Sequence, residues 1–197
     1  PALRLQRHAR PVAQKFIARA RGDRAGAAAG NPTIWAQLEN DTKARGEIPW
    51  SSLEFPKRPP MLPLFGRVKA FLFDSATAIS LRPAPPPSTE SDQMKKELEE
   101  VYHYSVNRTR EETRIVHFWG DGAGTYTPSG HWNTIAAEDF ITKNFSEVRW
   151  ARNLALLNMA LMDAAIVCWD TKYYYFNPRP SQLDTCLLYT SPSPRDA

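Results

Sequence analysis

Cysteine and histidine are scarce in this chain, whose 197 residues include two cysteines and four histidines. Cys168 and Cys186 are too few for the disulfide framework of a small secreted domain. No His-x-x-x-His pair, Cys-x-x-Cys pair or carboxylate cluster indicates a metal cage, so the sequence predicts no metal site. No serine, histidine and aspartate can be joined into a hydrolytic triad from their spacing.

Signals for nucleotides, nucleic acids and export are also missing. Residues 121–124, Asp-Gly-Ala-Gly, lack the full phosphate-loop pattern and its following Lys-Ser/Thr pair, so we predict no nucleotide site there. The net charge of +4 comes partly from an arginine-rich start, but no basic helix with interleaved aromatics indicates a nucleic-acid partner. The chain begins at Pro1 without a signal-like apolar run, which leaves the compartment undetermined.

Proline is abundant, with seventeen residues that fall in clusters. The cluster over 49–63 excludes a helix or a central strand, so we expect irregular chain wrapped over a helical core. Amphipathic spacing and capping residues predict helices elsewhere, and no strand pattern is clear. Their expected ranges are 11–21 with Pro11 at the first turn, 33–45, a run around 94–101, the segment after a Thr109–Glu112 capping box, 133–143 with Ser129 as a cap, and 148–173.

The sequence therefore predicts an all-α domain, a helical bundle with proline-rich irregular segments around it. We expect an N-terminal helical segment over 1–48 and the main helical domain over 49–185. Residues 186–197, CLLYTSPSPRDA, resemble the translation of a sequencing-library adapter, and we expect a non-native tail with few contacts. A genuine Ser/Pro-rich tail is the alternative.

One long apolar stretch, 148–169, has apolar residues on every face, which predicts a central and almost fully buried helix. Its length would also suit a membrane span. Asn158 and Asp163 near its middle argue against a span, as do Arg149 and Arg152 near its start. We therefore expect no transmembrane segment.

The end of this helix carries the clearest binding signal. At about 100° per residue, Trp169 and Lys172 share one face. The Asn177-Pro178 and Arg179-Pro180 pairs then stop the helix and restrict the backbone. A lysine and an arginine held beside aromatic side chains suit a tetrahedral oxyanion. The alternative is a solvent-exposed helix-end lysine and a surface turn arginine.

Lys172, six spacers and Arg179-Pro180 resemble the first motif of the type 2 phosphatidic-acid-phosphatase superfamily. The wider match, through Phe118-Trp119, residues 127–132, 151–158 and 169–172, is similar to its bacterial vanadium-dependent haloperoxidase-like branch. The resemblance implies that Lys172 and Arg179 are catalytic and bind phosphate or vanadate, with Trp169 lining the pocket. It also implies an extracytoplasmic location.

Two versions of the chemistry follow from that resemblance. The parent protein would be an acid phosphatase without cofactor that hydrolyses a small phosphoester, or a peroxidase with vanadate that oxidises a halide with peroxide. The later histidine motifs of the family are missing, so we expect a C-terminally truncated fragment without useful turnover. A non-catalytic helical binding or scaffold module is the competing interpretation.

His131 lies in a Pro-Ser-Gly-His sequence that resembles the superfamily's second motif. In the family that motif follows the lysine motif, whereas here it precedes Lys172 by about forty residues. The segment matches instead an upstream Thr-Pro-x-Gly-His-Trp segment of the haloperoxidase-like branch. We therefore expect His131 to be a structural or pocket-lining residue.

Overall fold

A computed structural model describes residues 2–23, 28–122 and 124–187, and within these ranges the fold is all-α, as predicted. Helices make up all of the regular structure in the described ranges, and no strand occurs there. In chain order these are α1 Ala2–Gly22, α2 Pro32–Ala44, a 3-10 turn Phe65–Arg67, α3 Ser75–Ser80, α4 Asp92–Val106, α5 Arg110–Trp119, α6 Thr127–Thr142, α7 Glu147–Tyr175 and α8 Pro180–Leu183.

Local side-chain caps fix where several helices begin. The Ser146 side chain accepts a hydrogen bond from the backbone N–H of Arg149 at the start of α7. Thr109 and Glu112 form the predicted capping box at the start of α5, each side chain accepting from the other's backbone N–H. These bonds satisfy N–H groups that have no partner inside the helix.

The C-terminal end of α7 depends on Phe176 in a left-handed conformation, with φ of 49°. Its backbone N–H donates to the Lys172 carbonyl at 2.9 Å, which closes the last turn. The Phe176 ring is buried, and its centroid lies 5.9 Å from that of the Trp50 ring and 5.8 Å from that of the Tyr173 ring. Burial of a large ring offsets the strain of this conformation. The helix therefore ends at Phe176, and the chain turns over 177–180 before α8 begins at Pro180.

The packed core lies between α7 and the segment that follows the 3-10 turn. Ile166 of α7 is 1 % exposed and clusters with the buried Val68 and Ala70. At Gly66 the two backbones touch, because an added Cβ would lie 2.5 Å from the Cα of Asp170. Only glycine permits this approach. The turn is thereby seated directly on the helix.

Asp163, in the middle of α7, ties the same segment to the helix by hydrogen bonds. Its buried carboxylate accepts from the backbone N–H of Phe71 at 2.7 Å and of Leu72 at 2.9 Å. Residues 71 and 72 belong to no helix or strand, so their N–H groups have no partner in regular secondary structure, and the Asp163 side chain supplies one. Asp163 thus supplies the hydrogen-bond acceptors that a helix or strand would otherwise provide for residues 71 and 72.

The expected near-complete burial of the long helix was wrong. In α7 only Asp163, Ile166 and Tyr173 are buried, whereas Val148 is 78 % exposed and Leu156 is 51 % exposed. The elements that pack most closely on α7 are the 3-10 turn, α6, α3 and α2. These elements leave much of its apolar surface uncovered, and an apolar pattern on every face cannot say how many sides have neighbours.

The stretch Glu147–Leu183 is long and apolar enough to cross a membrane by length and composition alone. That test does not distinguish a membrane span from the core helix of a soluble protein. Two of its carboxylates have partners within the protein, since Asp163 binds backbone N–H groups and Asp170 binds Arg82. The expectation of no membrane span stays a prediction.

Two helix starts differ from the expected ones. The helix α1 begins before Pro11, which lies inside it although proline cannot donate to the carbonyl of the preceding turn. Similarly, α6 begins at Thr127, so Ser129 lies within the helix and is not its cap. The 49–63 stretch contains no helix or strand, as predicted.

A few contacts bear on the expected division of the chain into segments 1–48, 49–185 and 186–197. Arg45, at the end of α2, donates to the Tyr174 carbonyl at 2.9 Å, so residues of the 1–48 segment bind α7 directly. Of the expected tail, residues 188–197 lie outside the described residues. Leu187 is buried, in contrast to the few contacts expected there.

Replacement of Asp163 tests the link between α7 and the following segment. We expect Asp163→Ala to lower the free energy of unfolding by about 3 kcal/mol, since two partly buried N–H groups lose a charged acceptor. Urea unfolding followed by circular dichroism measures this change. Asp139→Ala is the control, because Asp139 is half exposed in a surface ion pair and should cost under about 0.5 kcal/mol. Equal losses for the two variants would contradict the assigned role.

Candidate functional site

A cleft of about 590 Å³ lies at the C-terminal end of α7. Its walls come from residues 50–61, residues 83–86 and the chain reversal after α7. Trp169, Lys172 and Arg179 all line it. The structure therefore brings the three residues of the predicted binding signal to one cleft.

Trp169 is fixed by contacts on two sides. Its indole N–H donates to the Met61 carbonyl at 3.2 Å, and its ring meets the Phe65 ring edge-on with centroids 6.0 Å apart. The Nζ of Lys172 lies 5.2 Å from the centroid of the Trp169 ring, a distance that allows a cation–π interaction. The indole thus holds the ammonium group at the cleft.

Arg179 is positioned through Gln182, which the sequence analysis did not single out. The Gln182 Oε1 accepts from the backbone N–H of Arg179 at 3.2 Å and of Ser51 at 3.0 Å. Its Nε2 donates to the Pro49 carbonyl at 3.4 Å. One side chain therefore joins the arginine loop to the opposite wall. A glutamine three residues after a loop residue that precedes a proline is the capping signal that could have indicated it.

Tyr173 binds the same wall through the Met61 carbonyl. Its hydroxyl donates to the Met61 carbonyl at 2.6 Å, so this carbonyl accepts from both Tyr173 and Trp169. Burial raises the pKa of Tyr173 to about 12, while the nearby Arg179 charge lowers it by a smaller amount. The phenol is therefore neutral at physiological pH and serves as a hydrogen-bond donor.

An ion pair holds the wall at 83–86. Arg82 Nη2 donates to Asp170 Oδ1 at 2.9 Å, and the guanidinium carbon lies 4.0 Å from the centroid of the Tyr174 ring. The hydrogen bond to Asp170 raises the pKa of Arg82 above its ordinary value. The neighbouring Tyr175 hydroxyl donates to the Pro83 carbonyl at 2.7 Å. No sequence pattern indicated this pairing across 88 residues.

The charged residues that line the cleft have a net positive charge. Arg58, Lys172 and Arg179 are cationic and Glu54 is anionic. Arg58 Nη2 lies 2.9 Å from a Glu54 carboxylate oxygen, which offsets much of its charge. Lys172 and Arg179 then account for the remaining two positive charges, so the lining favours an anion.

His131 lies away from the cleft and is not among its lining residues. It is 1 % exposed, with Nδ1 3.0 Å from both carboxylate oxygens of Asp121. The rings of Phe118, Trp119 and Tyr126 surround it at centroid distances of 4.6, 5.0 and 5.2 Å. His131 therefore does not line this cleft, and its contact with Asp121 joins the 121 loop to α6. The partner Asp121 was not predicted.

The donors in the cleft suit a tetrahedral oxyanion such as phosphate or vanadate. An ammonium and a guanidinium would hold its oxygens, and a volume of about 590 Å³ leaves room for an attached organic group. No histidine is among the described lining residues, and the described ranges contain no group of three His, Cys, Asp or Glu residues suited to a metal ion. The arrangement can bind an anion, but it does not present the nucleophilic histidine that the family resemblance implies.

Comparisons with known proteins give no further assignment: no protein-family model, curated protein or solved structure matches this chain. The family resemblance accordingly rests on the motif residues and their spacing.

The raised pKa of Tyr173 predicts a loss of stability in alkali. The folded state binds this proton more tightly than the unfolded state, whose pKa is 10.0. Protonated Tyr173 therefore stabilises the folded state fully below pH 10. This stabilisation, up to about 2 to 3 kcal/mol, is lost as the pH rises towards 12. Urea unfolding across this interval should give a shallower decline for Tyr173→Phe than for the wild type. Tyr104→Phe removes a half-exposed phenol and should leave the decline in the free energy of unfolding unchanged. If Tyr173→Phe loses stability with pH as steeply as the wild type does, the decline does not come from Tyr173.

Proposed function

We propose that the chain belongs to a vanadium-dependent haloperoxidase-like enzyme of the type 2 phosphatidic-acid-phosphatase superfamily, and that it binds phosphate or vanadate through Lys172 and Arg179. The parent protein would be a phosphomonoester hydrolase or a halide-oxidising peroxidase. The observation that carries the proposal is the presence of Lys172, Arg179 and Trp169 in one cleft with a net positive lining.

Each residue has a distinct part in this proposal. Arg179 offers a planar fork of N–H donors that matches two oxygens of a tetrahedral anion. Lys172 supplies a compact positive charge, and Trp169 restricts where that charge can move. In a phosphatase these cations would stabilise the negative charge that spreads over the phosphoryl oxygens. In a peroxidase they would hold vanadate, which when bound activates peroxide for halide oxidation.

Which of the two activities the parent protein has depends on groups outside this cleft. Both need more than the anion-binding residues, because neither a nucleophile nor an acid–base histidine is among the described lining residues. We therefore propose that the chain by itself binds the oxyanion and turns over neither a phosphoester nor a halide. Its ligands would be small molecules.

A non-catalytic helical module is the second candidate, and the exposure of both cations favours it. Lys172 and Arg179 are exposed, although they line the cleft. Exposed cations bind anions more weakly than buried ones because water and salt screen the charge. On this alternative the two residues contribute to solubility alone.

Calorimetric titration with orthovanadate and with phosphate separates the two candidates. We expect Lys172→Ala and Arg179→Ala each to remove a charge-assisted contact worth about 1.5 to 3 kcal/mol, which weakens oxyanion binding about tenfold to hundredfold. Lys143→Ala is the matched control, since it removes an exposed lysine that directly follows α6 and should leave the affinity unchanged. His131→Ala should cost less affinity than either cleft variant.

Two results would count against the proposal. Equal vanadate affinity in the wild type and Arg179→Ala would exclude the site. If Lys143→Ala loses as much vanadate affinity as the cleft variants do, anion binding depends only on the overall charge of the chain, as the non-catalytic alternative implies.

A further inference from the structure

The helix α1 has an unusually one-sided charge. No aspartate or glutamate occurs before Asp23, whereas six lysine and arginine residues lie within Ala2–Gly22. The six are Arg4, Arg7, Arg10, Lys15, Arg19 and Arg21. The proposed oxyanion site, at the far end of the sequence, does not involve this helix.

Most of α1 is exposed to solvent. Residues 9–18 are all exposed, including Val12 at 68 %, Phe16 at 59 % and Ile17 at 48 %. The helix contacts the rest of the fold near its C-terminal end. There Arg19 donates to the carbonyls of Lys69 at 2.8 Å and Ala70 at 2.6 Å, and the Phe16 ring stacks on the Phe71 ring with centroids 6.1 Å apart. These contacts anchor α1 on one side, while Val12 and more than half of Phe16 stay exposed.

Three of the cations of α1 lie opposite Val12 and Phe16, whereas Ile17 lies on the same face as these cations. At about 100° per residue, Arg7, Arg10 and Arg21 fall within roughly 60° of one another. Val12 and Phe16 point to the other side, together with the small residues Ala9 and Ala20. A helix with one basic face and one apolar face is suited to the boundary between lipid headgroups and acyl chains.

We propose that α1 binds the surface of a membrane that contains anionic lipids, lying parallel to it. The arginines would meet the lipid phosphates while Val12 and the exposed part of the Phe16 ring enter the acyl boundary. A nucleic acid would engage only the basic face and leave the exposed apolar side chains in water. A second copy of α1 is disfavoured, because two helices without acidic residues repel each other.

Co-sedimentation of the whole chain with vesicles tests this proposal. The vesicles contain phosphatidylcholine alone, or phosphatidylcholine and phosphatidylglycerol in equal parts. We expect binding to the anionic vesicles and little to the neutral ones. Each cation near such a surface contributes on the order of 1 kcal/mol, so the triple variant R7Q/R10Q/K15Q should partition about a hundredfold less.

The matched control K43Q/K95Q/K143Q removes the same charge from three exposed lysines on α2, α4 and the end of α6, and should bind like the wild type. Val12→Ser retains every charge, so it tests the apolar face independently, and a loss of roughly fivefold is expected. Circular dichroism checks that each variant keeps its helices.

Three results would overturn the proposal. The first is wild-type partitioning by R7Q/R10Q/K15Q, and the second is equal binding to neutral and anionic vesicles. The third is displacement of the chain from anionic vesicles by duplex DNA at comparable phosphate concentration, which would assign the basic face to nucleic acid.

Discussion

The buried Asp163 carboxylate is the interaction on which the arrangement around α7 depends. It accepts the N–H groups of Phe71 and Leu72, and so holds a segment without secondary structure against the middle of a helix. Gly66 lets the same segment approach the helix backbone at Asp170. Once the segment is seated there, Phe65 meets Trp169, and the wall of the cleft follows.

The cleft combines one local arrangement with several distant ones. Trp169 and Lys172 are one helical turn apart, so their proximity needs nothing beyond α7. Arg179 joins them because Phe176 reverses the chain and Gln182 attaches the loop to residues 49–51. A positive cleft built in this way favours anion binding, yet the exposure of both cations keeps a purely structural module as a real alternative.

The amphipathic faces of this protein differ in how far they are covered. In α7, Ile166 and Tyr173 are buried, whereas Val148 and Leu156 are exposed. The helix α1 exposes almost all of its middle and carries charge of one sign. Apolar surface that no described element covers can take a further partner, and the positive charge of α1 favours an anionic one.

The sequence alone was sufficient for the all-α class, for the Thr109–Glu112 capping box and for the spacing of Trp169 and Lys172. Each of these depends on hydrogen bonds or side-chain positions within a few residues. It could not place the partners of Asp163, Asp170, Gln182 or His131, nor show that much of α7 stays exposed. Those features depend on which distant segments meet, and a buried polar group accepts whichever donor the packing brings to it. Only the tertiary structure decides that choice.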